Sequence, residues 1–228
     1  MRRALGLGLA LLAAPAAAQS PAPTGRTAEY LCEPLIRDAE KREGIPRGLL
    51  MAIGRAEAGT QTTAGTVVWP WALNVAGQGV YAKSEAEALA RVRRELAEDP
   101  GRFVDLGCMQ VNWQFHRASF RDPAELLRPA MNVAYAARFL HNLAAQHGGW
   151  QKAVGFYHSG NPARQAAYLE GVARRFCSAP ETAASCRQVP RSVVRAPIVP
   201  SPVKVYRGSQ PPQILGGPTG GASALPFR

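Results

Sequence analysis

The chain has 228 residues, of which 27 are lysine or arginine and 16 are aspartate or glutamate, so its formal net charge is +11. Three basic residues precede residue 29 and six follow residue 186, which leaves 18 basic residues beside all 16 acidic ones between these positions. The middle of the chain is therefore nearly neutral, and the overall charge does not indicate a nucleic-acid partner.

The first residues have the order of a secretory signal peptide. Arg2 and Arg3 precede an apolar segment at residues 4–14, and small alanines follow up to Ala18. This order predicts export and cleavage after Ala18. The apolar segment is too short to span a bilayer and no later stretch is long enough, so we expect a periplasmic protein without stable membrane insertion.

Composition divides the chain into four parts. We predict a signal peptide at 1–18, a short leader at 19–28, one domain at 29–178, and a flexible basic tail rich in proline and glycine at 179–228. A domain of this size can bury a full core, whereas the tail lacks the apolar content to fold alone. The tail could lie against an anionic wall or membrane surface or stay solvated, and we favour a flexible tether.

The hydrophobic pattern of the domain predicts mainly helices. The predicted helices cover 29–43, 46–57, 84–98, a segment from about Met131 that ends at Gly148, 150–157, and a last segment that starts at Asn161-Pro162 and has Tyr168, Val172 and Phe176 on its inner side. Residues 67–81 predict one β-hairpin with its turn near Gly77, and 103–111 a short extended piece. The predicted fold class is mainly α with a small β-hairpin.

Glu57 is the most informative residue of the predicted helices. Leu49, Ile53 and Glu57 follow at four-residue steps, so the carboxyl group shares a face with two core residues. A carboxyl group there is costly unless it is paired or protonated, and the nearby helix C-terminus favours the neutral form. Such a group suits a general acid, and a buried structural glutamate fits the same pattern.

The four cysteines are Cys32, Cys108, Cys177 and Cys186. None forms a CxxC pair or has zinc-ligand spacing, so we expect neither a metal nor a cofactor. In an exported protein three pairings into two disulfides are open. The short loop favours Cys177 with Cys186, which leaves Cys32 with Cys108, and free buried thiols are the alternative.

Four motifs in order resemble those of the soluble lytic transglycosylase family, within the goose-type lysozyme superfamily. Glu57 matches its catalytic glutamate, Gly107-Cys108-Met109-Gln110 a Gly-Leu-Met-Gln block, Asn132 a helix asparagine, and residues 155–160 an Ala-Tyr-Asn-x-Gly block. The resemblance covers about residues 29–178 and implies a lysozyme-like helical domain with a substrate cleft. The Trp-Pro-Trp-x-Leu-Asn segment at 69–74 is similar to that of small specialised members, which accompany flagella and secretion systems.

The resemblance implies cleavage of the β-1,4 bond between N-acetylmuramic acid and N-acetylglucosamine in peptidoglycan. Glu57 would protonate the leaving oxygen and then take the proton from the muramoyl C6 hydroxyl, which gives a 1,6-anhydromuramoyl end. Ordinary glycosidases use a second carboxylate, and no acidic residue follows Glu57 until Glu85. Asp105 is the nearest rival, although we expect it to bond local backbone as a turn residue.

The resemblance also implies roles for other residues. Tyr157 would hydrogen-bond Glu57 or be a core tyrosine, and Asn132 would bond backbone. We expect Gly107 to let the sugar approach the backbone, Met109 to pack beneath the cleft and Gln110 to reach the N-acetyl groups. Trp69 and Trp71 could stack on sugar rings, although one of them would be core. We expect His116, His141, His147 and His158 to be surface or supporting residues.

The chain departs from the family pattern at three positions near these motifs. Ala58 stands where serine is usual, Cys108 where leucine is usual, and His158 where asparagine is usual. Two other functions therefore stay open, a hydrolytic muramidase assisted by a second carboxylate such as Asp105, and a non-catalytic wall-binding assembly factor. A flagellar or secretion-system protein could bind through the tail.

Overall fold

The computed structural model describes residues 28–63 and 65–186 of the chain. The predicted signal peptide at 1–18, the predicted leader apart from Ala28, and the predicted tail from residue 187 onward lie outside the described residues. The described residues cover the predicted domain and the beginning of the predicted tail.

Helices form most of the described fold. They are α1 (Cys32–Arg42), α2 (Leu49–Glu57), α3 (Glu85–Glu98), α4 (Trp113–His116), a 3-10 turn (Arg117–Ser119), α5 (Pro123–Leu127), α6 (Pro129–His147), α7 (Trp150–His158), α8 (Pro162–Ser178) and α9 (Ala183–Cys186). Each helix that the sequence predicts is present, whereas the short helices between 113 and 127 hold too few turns to show a period. Within the described ranges, no helix has both the length and the apolar content needed to cross a bilayer.

The strands form two small antiparallel sheets. They are β1 (Gly59–Thr62), β2 (Gly65–Val68), β3 (Ala72–Val75), β4 (Gln78–Tyr81), β5 (Val104–Leu106) and β6 (Val111–Asn112). One sheet pairs β1 with β2, and the other has the order β4-β3-β5-β6. The prediction of a mainly α fold with a small β part is confirmed.

The predicted hairpin with its turn near Gly77 is present as β3 and β4. Its first strand is shorter than predicted, because Val67 and Val68 belong to β2 of a second hairpin. β2 ends at Val68 and β3 begins at Ala72, and Pro70 lies between them. Proline has no N–H group for a strand ladder, so the continuous strand that the apolar run suggested is interrupted there. β2 turns back to pair with β1, which directly follows α2.

A side chain of α1 caps the N-terminus of α2. Gly48 precedes α2 with a φ of +85° and has no side chain that could cap it. The Glu40 carboxylate, only 3% exposed, accepts hydrogen bonds from the backbone N–H groups of Gly48 at 2.8 Å and Met51 at 3.1 Å. Burial raises the pKa of Glu40, although these hydrogen bonds oppose the rise. In this way α1 fixes the start of the helix that carries Glu57.

Both favoured disulfides are present. Cys32 of α1 is bonded to Cys108, which lies between β5 and β6, and Cys177 is bonded to Cys186. The alternative of free thiols is wrong, since the described chain contains all four cysteines in bonded form. The first bond connects the helical core to the Gly107–Gln110 segment, and both of its cysteines are fully buried.

The packed fold continues beyond the predicted domain boundary at residue 178. Thr182 is 2% exposed, and its hydroxyl donates to the carbonyl of Phe176. Glu181 lies 3.6 Å from Arg55 of α2. Residues 179–186 therefore belong to the domain, and their composition misled the prediction because a disulfide and a few contacts hold this short segment in place.

Candidate active site

Glu57 is the last residue of α2 and lies where the chain turns from that helix into β1. The turn is tight, because a Cβ atom on Gly59 would lie 2.2 Å from the carbonyl oxygen of Arg55. The backbone N–H of Trp69 donates to the carbonyl of Ala58 at 2.8 Å, which fastens the segment after β2 to this turn. Glu57 is partly buried, and the helix before it and the strand after it fix its position.

The hydroxyl of Tyr168 donates a hydrogen bond to Oε1 of Glu57 at 2.7 Å. Tyr168 lies on α8, which packs against α2. Burial raises the pKa of Tyr168 well above its ordinary value, and the charge of Glu57 and this hydrogen bond add to the rise. The phenol is therefore neutral at physiological pH, and its proton is available to the carboxylate.

Sequence reasoning placed Tyr168 on the inner side of the last helix and gave it no role. A tyrosine on an apolar stripe with Val172 and Phe176 is typical of core packing. Its hydroxyl needs a partner when the ring is buried, and that requirement was the available signal. The partner is 111 positions away in sequence, so periodicity within α8 could not identify it.

Tyr157, which the family resemblance assigns to Glu57, donates a hydrogen bond to the carbonyl oxygen of Met109 at 2.8 Å. Its ring also packs against Phe139, with centroids 5.8 Å apart. These contacts connect α7 to the Gly107–Gln110 segment and to α6. A direct bond between Tyr157 and Glu57 stays a prediction.

Gly107 makes room for a side chain of the protein, which is a correction to its predicted role of admitting the sugar. Its φ is +78°, and a Cβ atom there would lie 2.8 Å from Nδ2 of Asn132. Asn132 is fully buried; it accepts from the Met109 N–H at 2.8 Å and donates to the carbonyl of Leu106 at 2.8 Å. Asn132 thus holds both sides of the turn in which Gly107 lies.

The side chains of Met109 and Gln110 face the protein interior. Met109 is fully buried, and its place beneath a substrate cleft stays a prediction. Gln110 is 8% exposed, and its amide group donates to the carbonyls of Ala72 at 2.9 Å and Gly107 at 3.2 Å. The prediction was that Gln110 reaches the N-acetyl groups of a substrate. It is wrong for the side-chain NH₂ group, which donates to backbone carbonyls instead.

The two tryptophans of the Trp-Pro-Trp segment differ in exposure. Trp71 is 2% exposed and belongs to the core, so stacking on a sugar is excluded for this ring. Trp69 is partly exposed, and its indole N–H donates to the carbonyl of Ala82 at 2.7 Å. The two rings meet nearly at right angles, 6.2 Å apart. Trp69 remains a candidate for contact with substrate.

Asp105 is fixed inside the second sheet. It lies in β5 and is 2% exposed, so the predicted turn position is wrong. Asn74 of β3 donates to Oδ2 at 3.1 Å, and Asn112 of β6 donates to Oδ1 at 2.8 Å. The three residues are cross-strand neighbours. Hydrogen bonds from amide donors on both oxygens hold the carboxyl group in place between the strands.

The histidines have separate environments. His158 stacks face to face on Tyr168, with centroids 4.4 Å apart and planes at 3°. His116, expected at the surface or as a supporting residue, packs against the rings of Tyr135 and Phe139 and lies 2.9 Å from the Tyr135 hydroxyl. Burial lowers its pKa to about 4. His141 contacts the Glu43 carbonyl and His147 stacks on Phe156. In the part of the chain that the structure describes, no group of side chains is arranged to hold a metal ion.

Comparison with known proteins gives one match. The family described as the transglycosylase SLT domain matches residues 34–170 of the chain. No curated protein sequence and no solved structure matches it. The matched range runs from α1 into α8 and includes Glu57, the Gly107–Gln110 segment and Tyr168. Because this match covers more than half of the chain, the protein belongs to the transglycosylase SLT domain family, the lytic transglycosylases that act on peptidoglycan.

Proposed function

We propose that the protein is an exported lytic transglycosylase that cleaves the bond between N-acetylmuramic acid and N-acetylglucosamine with formation of 1,6-anhydromuramoyl ends. Glu57 is its acid and base. The observation that carries the proposal is the hydrogen bond of 2.7 Å between the Tyr168 hydroxyl and Oε1 of Glu57, because it orients the carboxyl group of a partly buried residue at the end of a helix.

The reaction needs a carboxyl group that gives a proton and then receives one. Protonated Glu57 donates to the glycosidic oxygen as the bond to the muramoyl anomeric carbon breaks. The resulting carboxylate takes the proton of the muramoyl C6 hydroxyl while that oxygen bonds to the anomeric carbon, so no water is consumed. A neutral Tyr168 hydroxyl stabilises the carboxylate between the two steps and fixes the orientation of its Oε2 oxygen.

The environment of Asp105 supports transglycosylation over hydrolysis. A hydrolytic muramidase places a second carboxylate where it can attack the sugar or activate water. Asp105 is the nearest rival in the sequence, and both of its oxygens accept hydrogen bonds from asparagine side chains within the sheet. A carboxylate that is 2% exposed has little access to a sugar.

Two disulfides support export. Cys32–Cys108 and Cys177–Cys186 are both formed, and structural disulfides persist in oxidising compartments outside the cytoplasm. Together with the basic, apolar and small-residue order of residues 1–18, this favours a periplasmic enzyme with a cleaved signal peptide.

Mass spectrometry of the products tests the reaction. Purified protein lacking residues 1–18 is incubated with isolated sacculi, and the released muropeptides are analysed. We expect 1,6-anhydromuramoyl ends and incorporation of no ¹⁸O from labelled water. Reducing ends that carry ¹⁸O would show a hydrolytic muramidase, and intact sacculi would show a non-catalytic wall-binding factor.

We further propose that the enzyme opens the wall locally for an envelope-spanning assembly such as a flagellum or secretion system, and that its tail binds a protein of that assembly. Residues 187–228 contain six basic residues and no acidic one, which suits an anionic partner surface. Deletion of these residues should leave cleavage of isolated sacculi unchanged and abolish recruitment to the assembly in cells. Unaltered recruitment would refute the role of the tail.

A further inference from the structure

We propose that His158 is a positioning residue that fixes the Tyr168 hydroxyl against Glu57. This inference rests on the proposed function, because it assigns a role within the same site. His158 ends α7, and Tyr168 lies on the neighbouring helix α8.

The imidazole ring of His158 and the phenol ring of Tyr168 are stacked nearly parallel, which restrains the phenol ring. The centroids are 4.4 Å apart and the planes differ by 3°, so the imidazole covers one face of the phenol. α7 and α8 approach closely at this level, since a Cβ atom on Gly155 would lie 3.0 Å from Cβ of Gln165. Gln165 also donates to the Ser159 carbonyl at 2.9 Å, directly after His158. The two helices thus hold both rings in register.

Restraint of the phenol ring matters because its hydroxyl is a hydrogen-bond donor to the reacting carboxyl group. The donor–acceptor distance is 2.7 Å, and a displacement of a few tenths of an ångström weakens such a bond. A tyrosine ring moves about two side-chain torsions, and a flat ring on its face blocks displacement in that direction. His158 therefore acts on Glu57 through Tyr168.

A planar aromatic side chain is the property that this role requires. An alanine at position 158 removes the cover from the phenol, whereas a phenylalanine keeps an aromatic face of similar size. An asparagine, the usual residue of the family, has a smaller planar group. The order of activity expected for position 158 is therefore histidine and phenylalanine first, asparagine next and alanine last.

The test is a double-mutant cycle between positions 158 and 168. The proteins are wild type, His158→Ala, His158→Phe, Tyr168→Phe and the double variant His158→Ala/Tyr168→Phe. The initial rate of anhydromuramoyl release is measured against soluble uncrosslinked glycan strands to separate kcat from KM. We expect His158→Ala to lower kcat about three- to tenfold, the range for one aromatic stack, with KM unchanged.

His158→Phe should restore kcat to within about twofold of wild type, and His158→Ala should have no further effect in the Tyr168→Phe background. An equal loss in both backgrounds, a loss confined to KM, or wild-type kcat in His158→Ala would each overturn the proposal. The matched control is His147→Ala, which removes a similar stack, 3.6 Å from Phe156, and should leave kcat unchanged. Rates are corrected for the folded fraction, measured by thermal unfolding.

A second readout does not depend on turnover. In protein labelled with ¹³C-tyrosine, the Tyr168 ring signals should shift and broaden in His158→Ala and keep their linewidth in His158→Phe. Unchanged signals in His158→Ala would overturn the positioning role. If the wild type released reducing ends or no product, the proposed reaction would fail, while this readout would still decide whether His158 restrains Tyr168.

Discussion

Glu57 and Asp105 are two carboxylic acids of the same domain that differ in burial and in hydrogen-bond partners. Glu57 ends a helix, is partly buried and receives a hydrogen bond from Tyr168. Asp105 lies within a sheet, is 2% exposed and receives amide hydrogen bonds on both oxygens. The difference supports the proposal that Glu57 transfers the proton, and the contacts of Asp105 are those of a structural residue of the sheet.

The supporting residues follow the same division. Tyr168 donates a hydrogen bond to Glu57, and the ring of His158 is stacked on Tyr168. Around Asp105 and Gly107 lie asparagines and backbone amides, whose hydrogen bonds fix geometry. A catalytic carboxyl group needs a changeable protonation state, whereas a structural one needs all its acceptor sites filled. Substitutions at the Glu57 site should therefore change the reaction rate, and substitutions of structural carboxylates should change stability.

Glu57→Gln has the largest expected effect. Loss of a general acid and base costs about a thousandfold or more in rate, equivalent to about 4 kcal/mol in the barrier. We expect no detectable anhydromuramoyl release, with the unfolding temperature within a few degrees of wild type. The control is Glu98→Gln, which alters another glutamate at the end of a helix and should retain full activity. An active Glu57→Gln protein would refute the mechanism.

Asp105→Ala should reduce stability and spare the chemistry. The substitution leaves the amide groups of Asn74 and Asn112 without the acceptors that they have now, at a cost of about 3 kcal/mol in the free energy of unfolding. Urea denaturation measures this loss, with exposed Asp38→Ala as control. The rate per folded molecule should stay within a few-fold of wild type, and a loss as large as that of Glu57→Gln would reinstate Asp105 as a second catalytic carboxylate.

Tyr168→Phe removes the hydroxyl and keeps the ring. Hydrogen bonds to charged groups contribute about 1.5–3 kcal/mol, so kcat should fall at least about tenfold if the bond strengthens as Glu57 becomes a carboxylate. The rate of anhydromuramoyl release at saturating substrate measures this effect. Tyr157→Phe is the comparison, because that hydroxyl donates to the Met109 carbonyl; a larger loss from Tyr157→Phe would make Tyr157 the main partner of Glu57.

The sequence alone was sufficient for the long helices and the disulfides, and it marked Glu57 as a candidate residue. Long helices show their period over several turns, and the short loop between Cys177 and Cys186 limited the choice of pairings. Glu57 was identifiable because a carboxyl group interrupts an apolar stripe. The helix period and the position of Glu57 are local signals, and four cysteines allow only three pairings.

The sequence did not indicate which side chains meet across the core. Gln110 and Gly107 had plausible roles at the substrate, and the structure instead shows them engaged with backbone and with Asn132. Tyr168 had the pattern of a core residue, and its contact with Glu57 depends on the packing of α2 on α8. Hydrogen bonds between distant segments are set by packing, which a pattern along one chain does not encode.

Glu95→Gln has the smallest expected effect and tests how a structural carboxylate responds to pH. Hydrogen bonding from Arg91, at 2.5 Å, and the charges of Arg91 and Arg102 hold the pKa of Glu95 below its usual range. The ion pairs therefore stabilise the folded protein above the ordinary pKa of 4.5, and this contribution is lost as pH falls through the lower folded value. At neutral pH the free energy of unfolding of Glu95→Gln should be about 1 kcal/mol lower than that of wild type.

The difference between wild type and Glu95→Gln should shrink as pH falls below the ordinary value, measured by urea denaturation at successive pH values. The stability difference between wild type and Glu40→Gln should change with pH in the opposite direction, because burial raises the pKa of Glu40. The wild type loses stability relative to that variant as pH rises from 4.5 through the raised folded value. If the difference in free energy of unfolding between wild type and Glu95→Gln stays constant down to the pH of acid unfolding, the arginine partners do not stabilise the charged form of Glu95. Glu95 and Glu40 thus link the stability of the folded protein to pH in opposite directions.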